Sequence, residues 1–220
     1  MLGRTLLFSG GKVNLSFVAE YLKGQVFDSV VCADSGLHAA YQLQMPVSFF
    51  LGDFDSVNPE VLKYYQSGEQ QAKWMQYPAA KDYTDTHMVI RWILEQGAEE
   101  IVILGATGGR MDHFLSNIHS LVPTLKQGVD AYLVDENNRI RLLDHGCVIE
   151  REELYGKYIS LIPLTETVTG LTLTGMAYPV KDFTLEMGNP RAISNELAEG
   201  ESRGRIEMRS GIVILVESRD

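Results

Sequence analysis

Apolar positions follow two different rhythms along this chain, and the rhythm changes near residue 138. Before it come short runs that are apolar apart from a leading Thr or Ser: Thr5–Phe8, Ser29–Ala33, Ser48–Leu51, Ile101–Leu104 and Ala131–Val134. Unbroken runs rich in β-branched or aromatic residues are expected of strands buried on both faces of a parallel sheet. Between them the spacing turns helical. Met111, Phe114, Leu115, Ile118, Leu121, Val122 and Leu125 predict one helix over 111–125. Met88, Val89, Trp92 and Ile93 form a stripe over about 84–96 that Gly97 would stop, and Asn58-Pro59-Glu60 reads as a cap followed by proline at a first helical position. Strand–helix alternation of this kind predicts an α/β domain with a doubly wound, mostly parallel sheet.

Beyond Asn138 the helical stripes vanish. Ile140–Leu143, Tyr158–Pro163, Gly170–Thr174, Phe183–Met187, Arg205–Met208 and Ile212–Glu217 are short and strand-like, separated by Gly, Pro and Asn. This texture predicts a smaller, sandwich-like all-β domain. The expected boundary falls within 135–138, giving domains 1–137 and 138–220.

Composition narrows the class. The chain has 220 residues, 45% hydrophobic and 22% charged, with a formal net charge of −10. An acidic surplus argues against nucleic acid as a partner, because phosphate backbones need clustered Lys and Arg. It does not exclude one small anion, since a metal ion reverses the charge of a local site. Cys32 and Cys147 stand far apart and outside any CxxC pattern, and read as reduced thiols. The first apolar stretch is too short for a signal peptide, and no run approaches the roughly 20 apolar residues of a membrane helix. The expectation is a cytoplasmic protein with no membrane partner.

The chemistry-bearing residues fall where such a sheet would bind ligands, just beyond the carboxyl ends of its strands. There stand Ser9-Gly10-Gly11, Asp34-Ser35-Gly36, Gly52-Asp53-Phe54-Asp55-Ser56 and Gly105-Ala106-Thr107-Gly108-Gly109-Arg110-Met111-Asp112-His113, with Lys81-Asp82-Tyr83-Thr84-Asp85 before the second helix. In extended chain Asp53 and Asp55 would point to one side and share a cation, whereas in a turn they would satisfy free backbone N–H groups. Asp85 and Asp112 each fit the first turn of a helix, where negative charge is favoured, and Asp82 fits a cap. Together, converging carboxylates repel one another unless a cation sits between them, and hard oxygen ligands beside a phosphate suit Mg2+ rather than zinc. The Gly105–Arg110 loop supplies the complement: Gly108 and Gly109 let N–H groups approach phosphate, the next helix presents its positive end, and Arg110 can grip phosphate bidentately. A glycine turn used only for close packing is the alternative. The loop is neither a Walker A nor a GxGxxG motif. His113 adjoins Asp112 and is a candidate ligand contact, and Lys81 is either solvated or turned to a phosphate. His38, His87 and His119 lie in helical stretches, where histidine is more often a surface or core-edge residue.

Three of these segments carry a resemblance. Gly52–Ser56, Lys81–Asp85 and Gly108–His113, in this order and setting, resemble the thiamine pyrophosphokinase family. Asp34-Ser35-Gly36 resembles that family's Asp-Gly-Gly turn with serine substituted, and Ile193-Ser194-Asn195-Glu196 is similar to its Ser-Asn element. The likeness covers essentially the whole chain and is thinnest over 144–192. It implies an Mg2+-dependent transfer of the terminal diphosphate of ATP to the hydroxyl of thiamine, with release of AMP. It further implies a homodimer whose thiamine site lies between the α/β domain of one subunit and the β domain of the other. Asp53, Asp55 and Asp85 would hold Mg2+. Gly10, Gly11, Asp34, Lys81, Thr84, Thr107, Gly108, Gly109, Arg110 and His113 would bind ATP. Asp112 would stand at the reacting centre, and Ser194 and Asn195 would line the thiamine pocket.

Two rival readings remain at this point. Asp53-Phe54-Asp55-Ser56-Val57 fits the DxDxV pattern of haloacid-dehalogenase-type phosphohydrolases, with Asp53 as covalent nucleophile. That reading leaves Thr84-Asp85 and the Gly-Gly-Arg loop without a task. A non-enzymatic nucleotide-binding sensor would need the glycine loops but not the aspartates.

Overall fold

The apolar runs of the N-terminal half become β1 (Gly3–Phe8), β2 (Ser29–Ala33), β3 (Phe49–Gly52), β5 (Ala98–Leu104) and β6 (Asp130–Val134), joined by a strand the pattern did not predict, β4 (Lys73–Gln76). The computed structural model describes residues 1–67, 72–77 and 83–220. Their contacts divide the chain into two compact units, Met1–Glu136 and Asn137–Asp220.

In the first unit the strands lie in the order β4-β3-β2-β1-β5-β6, every pairing parallel. The chain builds outward from β1 to β4, then crosses back and adds β5 and β6 on the other side of β1. Order therefore reverses between β1 and β5, which is where ligands bind in sheets of this type. Burial explains the run pattern: β2 is buried at all five positions, and Leu6, Leu7, Phe8, Ile101, Ile103 and Leu104 expose 1% or less. Each such side chain contributes about 1.5–3 kcal/mol on leaving water. β4 is exposed throughout, as an edge strand with little to bury.

Helices α1 (Leu15–Tyr21), α2 (Leu37–Gln42), α3 (Pro59–Ser67), α4 (Asp85–Glu95), α5 (Met111–His119) and α6 (Val122–Lys126) connect the strands. Asn58 Oδ1 accepts from the Glu60 amide at 2.8 Å, capping α3 as expected. Thr84 caps α4, its hydroxyl accepting from the His87 amide, while Asp82 lies outside the described residues. Gly97 ends α4 with φ +78, a conformation glycine adopts without a Cβ clash.

The single helix expected over 111–125 is two helices. Pro123 lacks an N–H and its ring would strike the carbonyl one turn back, so the chain turns at Ser120 and Leu121 and restarts with the proline in the first turn of α6. The break also changes what the stripe buries. Ile118 and Leu121 are in the core, but Met111 and Leu115 are 66% and 53% exposed.

The second unit is all-β. One antiparallel sheet runs in the order β7 (Asn138–Leu143), β13 (Val213–Ser218), β9 (Tyr158–Pro163). The other runs β11 (Val180–Glu186), β10 (Thr167–Thr174), β12 (Arg203–Glu207), β8 (Cys147–Glu150). Inward residues of both sheets, among them Leu161, Leu171, Leu185, Ile206 and Leu215, form one apolar cluster. That is a sandwich, with core-facing positions alternating along strands such as β12.

Candidate active site

Three loops close on the reversal point because three glycines let them touch. A Cβ on Gly11 would sit 2.3 Å from the Gly105 carbonyl oxygen, one on Gly36 2.2 Å from that of Phe8, and one on Gly105 2.8 Å from that of Ser9. Gly105 also holds φ +72. The Gly11 amide donates to the Gly105 carbonyl at 2.9 Å, tying the loop after β1 to the loop after β5. Ser35 donates its hydroxyl to the Gly10 carbonyl at 3.1 Å. A buried pair, Ser9 Oγ and Thr86 Oγ1 at 2.6 Å, links the end of β1 to the start of α4.

The result is a cavity of about 440 Å3. Of the residues expected to bind nucleotide, Gly10, Gly11, Asp34, Thr84, Gly108, Gly109, Arg110 and His113 line it, together with Asp85. Thr107 is half-buried beside it and is not part of the lining. Lys81 lies outside the described residues. Sequence reasoning passed over Lys12 and Asn117, which also line the cavity. Lys12 directly follows Gly10-Gly11, and its position there was the available signal. The N-terminal ends of α4 and α5 both border this space, so two helix dipoles and the cations Lys12 and Arg110 favour an anion within it.

On the adjoining strand ends the carboxylates gather. Oxygens of Asp34, Asp53 and Asp55 lie within 4.8 Å of one another. Asp34 follows β2 and the pair follows β3, two parallel neighbours whose ends must be adjacent. Asp85, expected to complete a set with Asp53 and Asp55, stands outside this tight group, although its charge is felt at Asp55. Asp53 and Asp55 do not converge through extended chain. Phe54 between them is left-handed, φ +64, and the Asp55 amide donates to Asp53 Oδ1 at 3.3 Å. Asp53 next to it raises the Asp55 pKa first by its charge and then by hydrogen bonding, with smaller additions from burial and from Asp34 and Asp85. One oxygen of Asp34 accepts from Ser56 Oγ at 2.6 Å. The other is buried without a hydrogen-bond partner, a state costing about 1–3 kcal/mol. A cation among these oxygens would satisfy it and relieve the repulsion, so the residues fit a hard divalent ion.

Asp112 sits on the first turn of α5 and is held by Arg110, Nε to Oδ1 at 3.0 Å and Nη2 to Oδ2 at 2.5 Å. Those bonds, helped by the His113 amide, lower its pKa to about 2. His38 accepts from the Asn58 amide at 2.9 Å and so braces the loop beyond the carboxylate turn.

Residues 23–133 match the family profile described as thiamin pyrophosphokinase, catalytic domain, and residues 146–213 the profile described as thiamin pyrophosphokinase, vitamin B1 binding domain. The chain is 38% identical over 177 residues to a thiamine pyrophosphokinase of Bacillus subtilis, covering 80% of each. The chain belongs to the thiamine pyrophosphokinase family. Among solved structures, a thiamine pyrophosphokinase from Bacillus subtilis superposes with a TM-score of 0.85 at 31% identity, over 99% of both chains. A thiamin pyrophosphokinase from Geobacillus thermodenitrificans gives 0.83 at 28%, over 99% of this chain and 98% of that one. These likenesses support the kinase reading and neither of its rivals. Asp53 also follows the third strand, whereas the phosphohydrolase pattern normally follows the first.

Ser194 and Asn195 lie in the second unit, where a cavity of about 480 Å3 is lined by Tyr178, Pro179, Val180, Arg191, Ile193 and Asn195, with Ala177. Asn195 is buried, and its amide is spent on the chain itself. Its nitrogen donates to the Tyr178 carbonyl at 2.9 Å, and its oxygen accepts from the Tyr178 and Glu196 amides. It shapes the pocket by clamping its two loops together. Ser194 is exposed and left-handed, φ +55, with its amide donating to Ser160 Oγ at 2.9 Å.

Proposed function

We propose that this chain transfers the terminal diphosphate of ATP to the hydroxyl of thiamine, giving thiamine diphosphate and AMP. One observation carries the reading: a glycine-walled anion cradle with two cations and a cluster of carboxylates occupy neighbouring strand ends of one sheet. In the reaction the thiamine hydroxyl oxygen bonds to the β-phosphorus of ATP as its proton passes to Asp112 or to water, the bond from that phosphorus to the α–β bridging oxygen breaks, and AMP departs with that oxygen. Such transfers depend on in-line positioning and neutralisation of charge, with little covalent work by the protein.

Each residue then has a task. The amides around Gly10, Gly11, Gly108 and Gly109 and the Arg110 guanidinium hold the polyphosphate, joined by Lys12. Asp53 and Asp55, with Asp34 and with Asp85 nearby, would hold Mg2+. Bound Mg2+ supplies the positive charge that screens the attacked phosphate from its oxygen nucleophile. Asp112, ionised and paired with Arg110, accepts a hydrogen bond from the attacking hydroxyl and orients it. It becomes a stronger base only when Arg110 turns to the phosphates. The Tyr178–Asn195 pocket offers the Tyr178 ring and the side chains of Pro179, Val180 and Ile193 to the flat rings of thiamine, with Arg191 also in its wall.

A homodimer is supported by the exposure of Met111 and Leu115 on α5 and of Tyr178, large apolar groups left in water by a single chain. A cytoplasmic setting is the simplest reading of the buried thiol Cys32. Among the described residues no helix is long and apolar enough to cross a membrane. Incubation with ATP, Mg2+ and thiamine tests the proposal, with AMP and thiamine diphosphate as the expected products. ADP or free phosphate as the sole nucleotide-derived product would refute it.

A further inference from the structure

A phenylalanine with φ +64 between two site carboxylates calls for a cause. Left-handed backbone is uncommon for any residue with a side chain, and for a bulky one it persists only where surroundings impose it. Here the surroundings are aromatic. The Phe54 ring meets Phe50 at 5.3 Å and 62°, and Trp74 at 6.2 Å and 72°, both edge-on. Phe50 and Trp74 are register partners on β3 and β4 and lie nearly parallel, 6.4 Å apart. Phe50 is fully buried, whereas Trp74 is 48% exposed on the edge strand. The same strand reaches the turn a second time, through Gln76 Nε2, which donates to the Asp53 carbonyl at 3.3 Å.

We infer that Phe54, seated on the Phe50–Trp74 pair, is the positioning residue that sets the separation of the Asp53 and Asp55 carboxylates. The ring is drawn to the aromatic side of the turn, which twists the backbone into the left-handed region and leaves both flanking carboxylates on the opposite side, facing Asp34. Without that anchor the chain relaxes to the ordinary φ range, and the Asx-type bond from the Asp55 amide to Asp53 is lost with the register of the pair. The exposed edge strand β4 thus has a task that its lack of buried residues did not suggest. It carries the floor on which the metal-facing turn rests. The inference depends on the reading of Asp53 and Asp55 as the cation site.

Mn2+ titration of the ligand-free protein, followed by the electron paramagnetic resonance signal of the free ion, tests it. Phe54→Gly keeps the left-handed backbone accessible but removes the anchor, and is expected to weaken Mn2+ binding by roughly tenfold, about 1.4 kcal/mol. In turnover the same variant should lower kcat while the KM for thiamine stays unchanged. Phe54→Tyr retains the ring and should restore affinity to near wild type. Trp74→Leu, at a half-exposed edge position, should weaken binding in the same direction and supplies the answer if Phe54→Gly does not fold. Asp53→Asn is the control for the underlying site. Wild-type Mn2+ affinity in Asp53→Asn would overturn the cation reading itself. Loss in Asp53→Asn with wild-type affinity in folded Phe54→Gly, or in Trp74→Leu, would overturn the positioning role alone.

Discussion

Replacing Gly11 by alanine adds one methyl group at the point where the loops after β1 and β5 meet. Gly11 does not occupy the left-handed region, so its backbone conformation is open to alanine, and the obstacle is contact alone. The new Cβ would lie 2.3 Å from the Gly105 oxygen, against about 3.3–3.6 Å for close carbon–oxygen approaches. One loop must therefore retreat by about 1 Å, and the 2.9 Å bond from the Gly11 amide to the Gly105 carbonyl breaks with it. Overpacking of this kind costs about 1–3 kcal/mol. For a chain of this length each kcal/mol lowers Tm by about 2–4 °C. The functional loss should be larger, since a displacement of about 1 Å in a positioning element can cost about a hundredfold in rate. Thermal melting together with AMP formation, titrated separately in ATP and in thiamine, reads both effects. The expected pattern is a modest fall in Tm, a large fall in kcat/KM for ATP and an unchanged KM for thiamine. Gly109→Ala is the comparison: Gly109 holds φ +90 but nothing lies within 4 Å of its added Cβ, so it should lose stability through strain while the two loops stay joined. Wild-type ATP kinetics in Gly11→Ala would refute the view that contact between these loops shapes the nucleotide site.

Other substitutions probe separate parts of the account. Asp53→Asn should abolish turnover with the fold intact, checked by circular dichroism beside the AMP assay; residual wild-type activity would remove Asp53 from the site. Arg110→Ala removes the main cause of the low Asp112 pKa, so protonation of Asp112 should move from about 2 up toward the ordinary value of about 3.9. Because the shift in the intact protein is downward, Asp112 stays ionised at every pH above that range and adds no acid limb to activity near neutrality. Carboxyl NMR titration of both proteins checks the direction. In the second unit, Arg139 grips Glu217 through Nε and Nη2, both at 2.8 Å, and the Glu217 side chain is 2% exposed. Arg139→Ala leaves that carboxylate buried without its counter-ion, with the Tyr155 amide at 3.4 Å still donating to it, which should cost about 3–5 kcal/mol, read as a lowered unfolding midpoint in urea.

The strands of the first unit were legible where burial is two-sided. β2 matches its apolar run residue for residue, because nothing on either face meets water. β4, with Lys73 and Gln76 flanking Trp74 and Met75, is exposed at every position and left no run to find. α1 buries only Val18, too little for a stripe, and β8 buries only Ile149. The expected helix over 111–125 followed its apolar spacing past Pro123, whose ring decides the local outcome.

The site was legible in its residue types and less so in its grouping. Asp53 and Asp55 could be paired from spacing, but not by the extended chain that spacing suggested, since the left-handed turn at Phe54 depends on rings from two other positions. Asp34 joins them because β2 and β3 are neighbours, a tertiary fact that the order of the aspartates along the chain does not contain. Lys12 belongs to no motif and becomes a cradle residue only when β1 and β5 lie side by side. Asn195 was expected to line the thiamine pocket; it stands at a cavity of the second unit, with its amide bonded to the backbone of Tyr178 and Glu196, and residue type alone does not separate a side chain that faces a ligand from one that holds the pocket's loops.

The most direct test of the account follows phosphorus. ATP radiolabelled at the β-phosphorus and, in parallel, at the γ-phosphorus should each place its label in thiamine diphosphate, with the AMP unlabelled. Transfer of the γ label alone, with ADP as the second product, or label retained on the protein as an aspartyl phosphate, would contradict it.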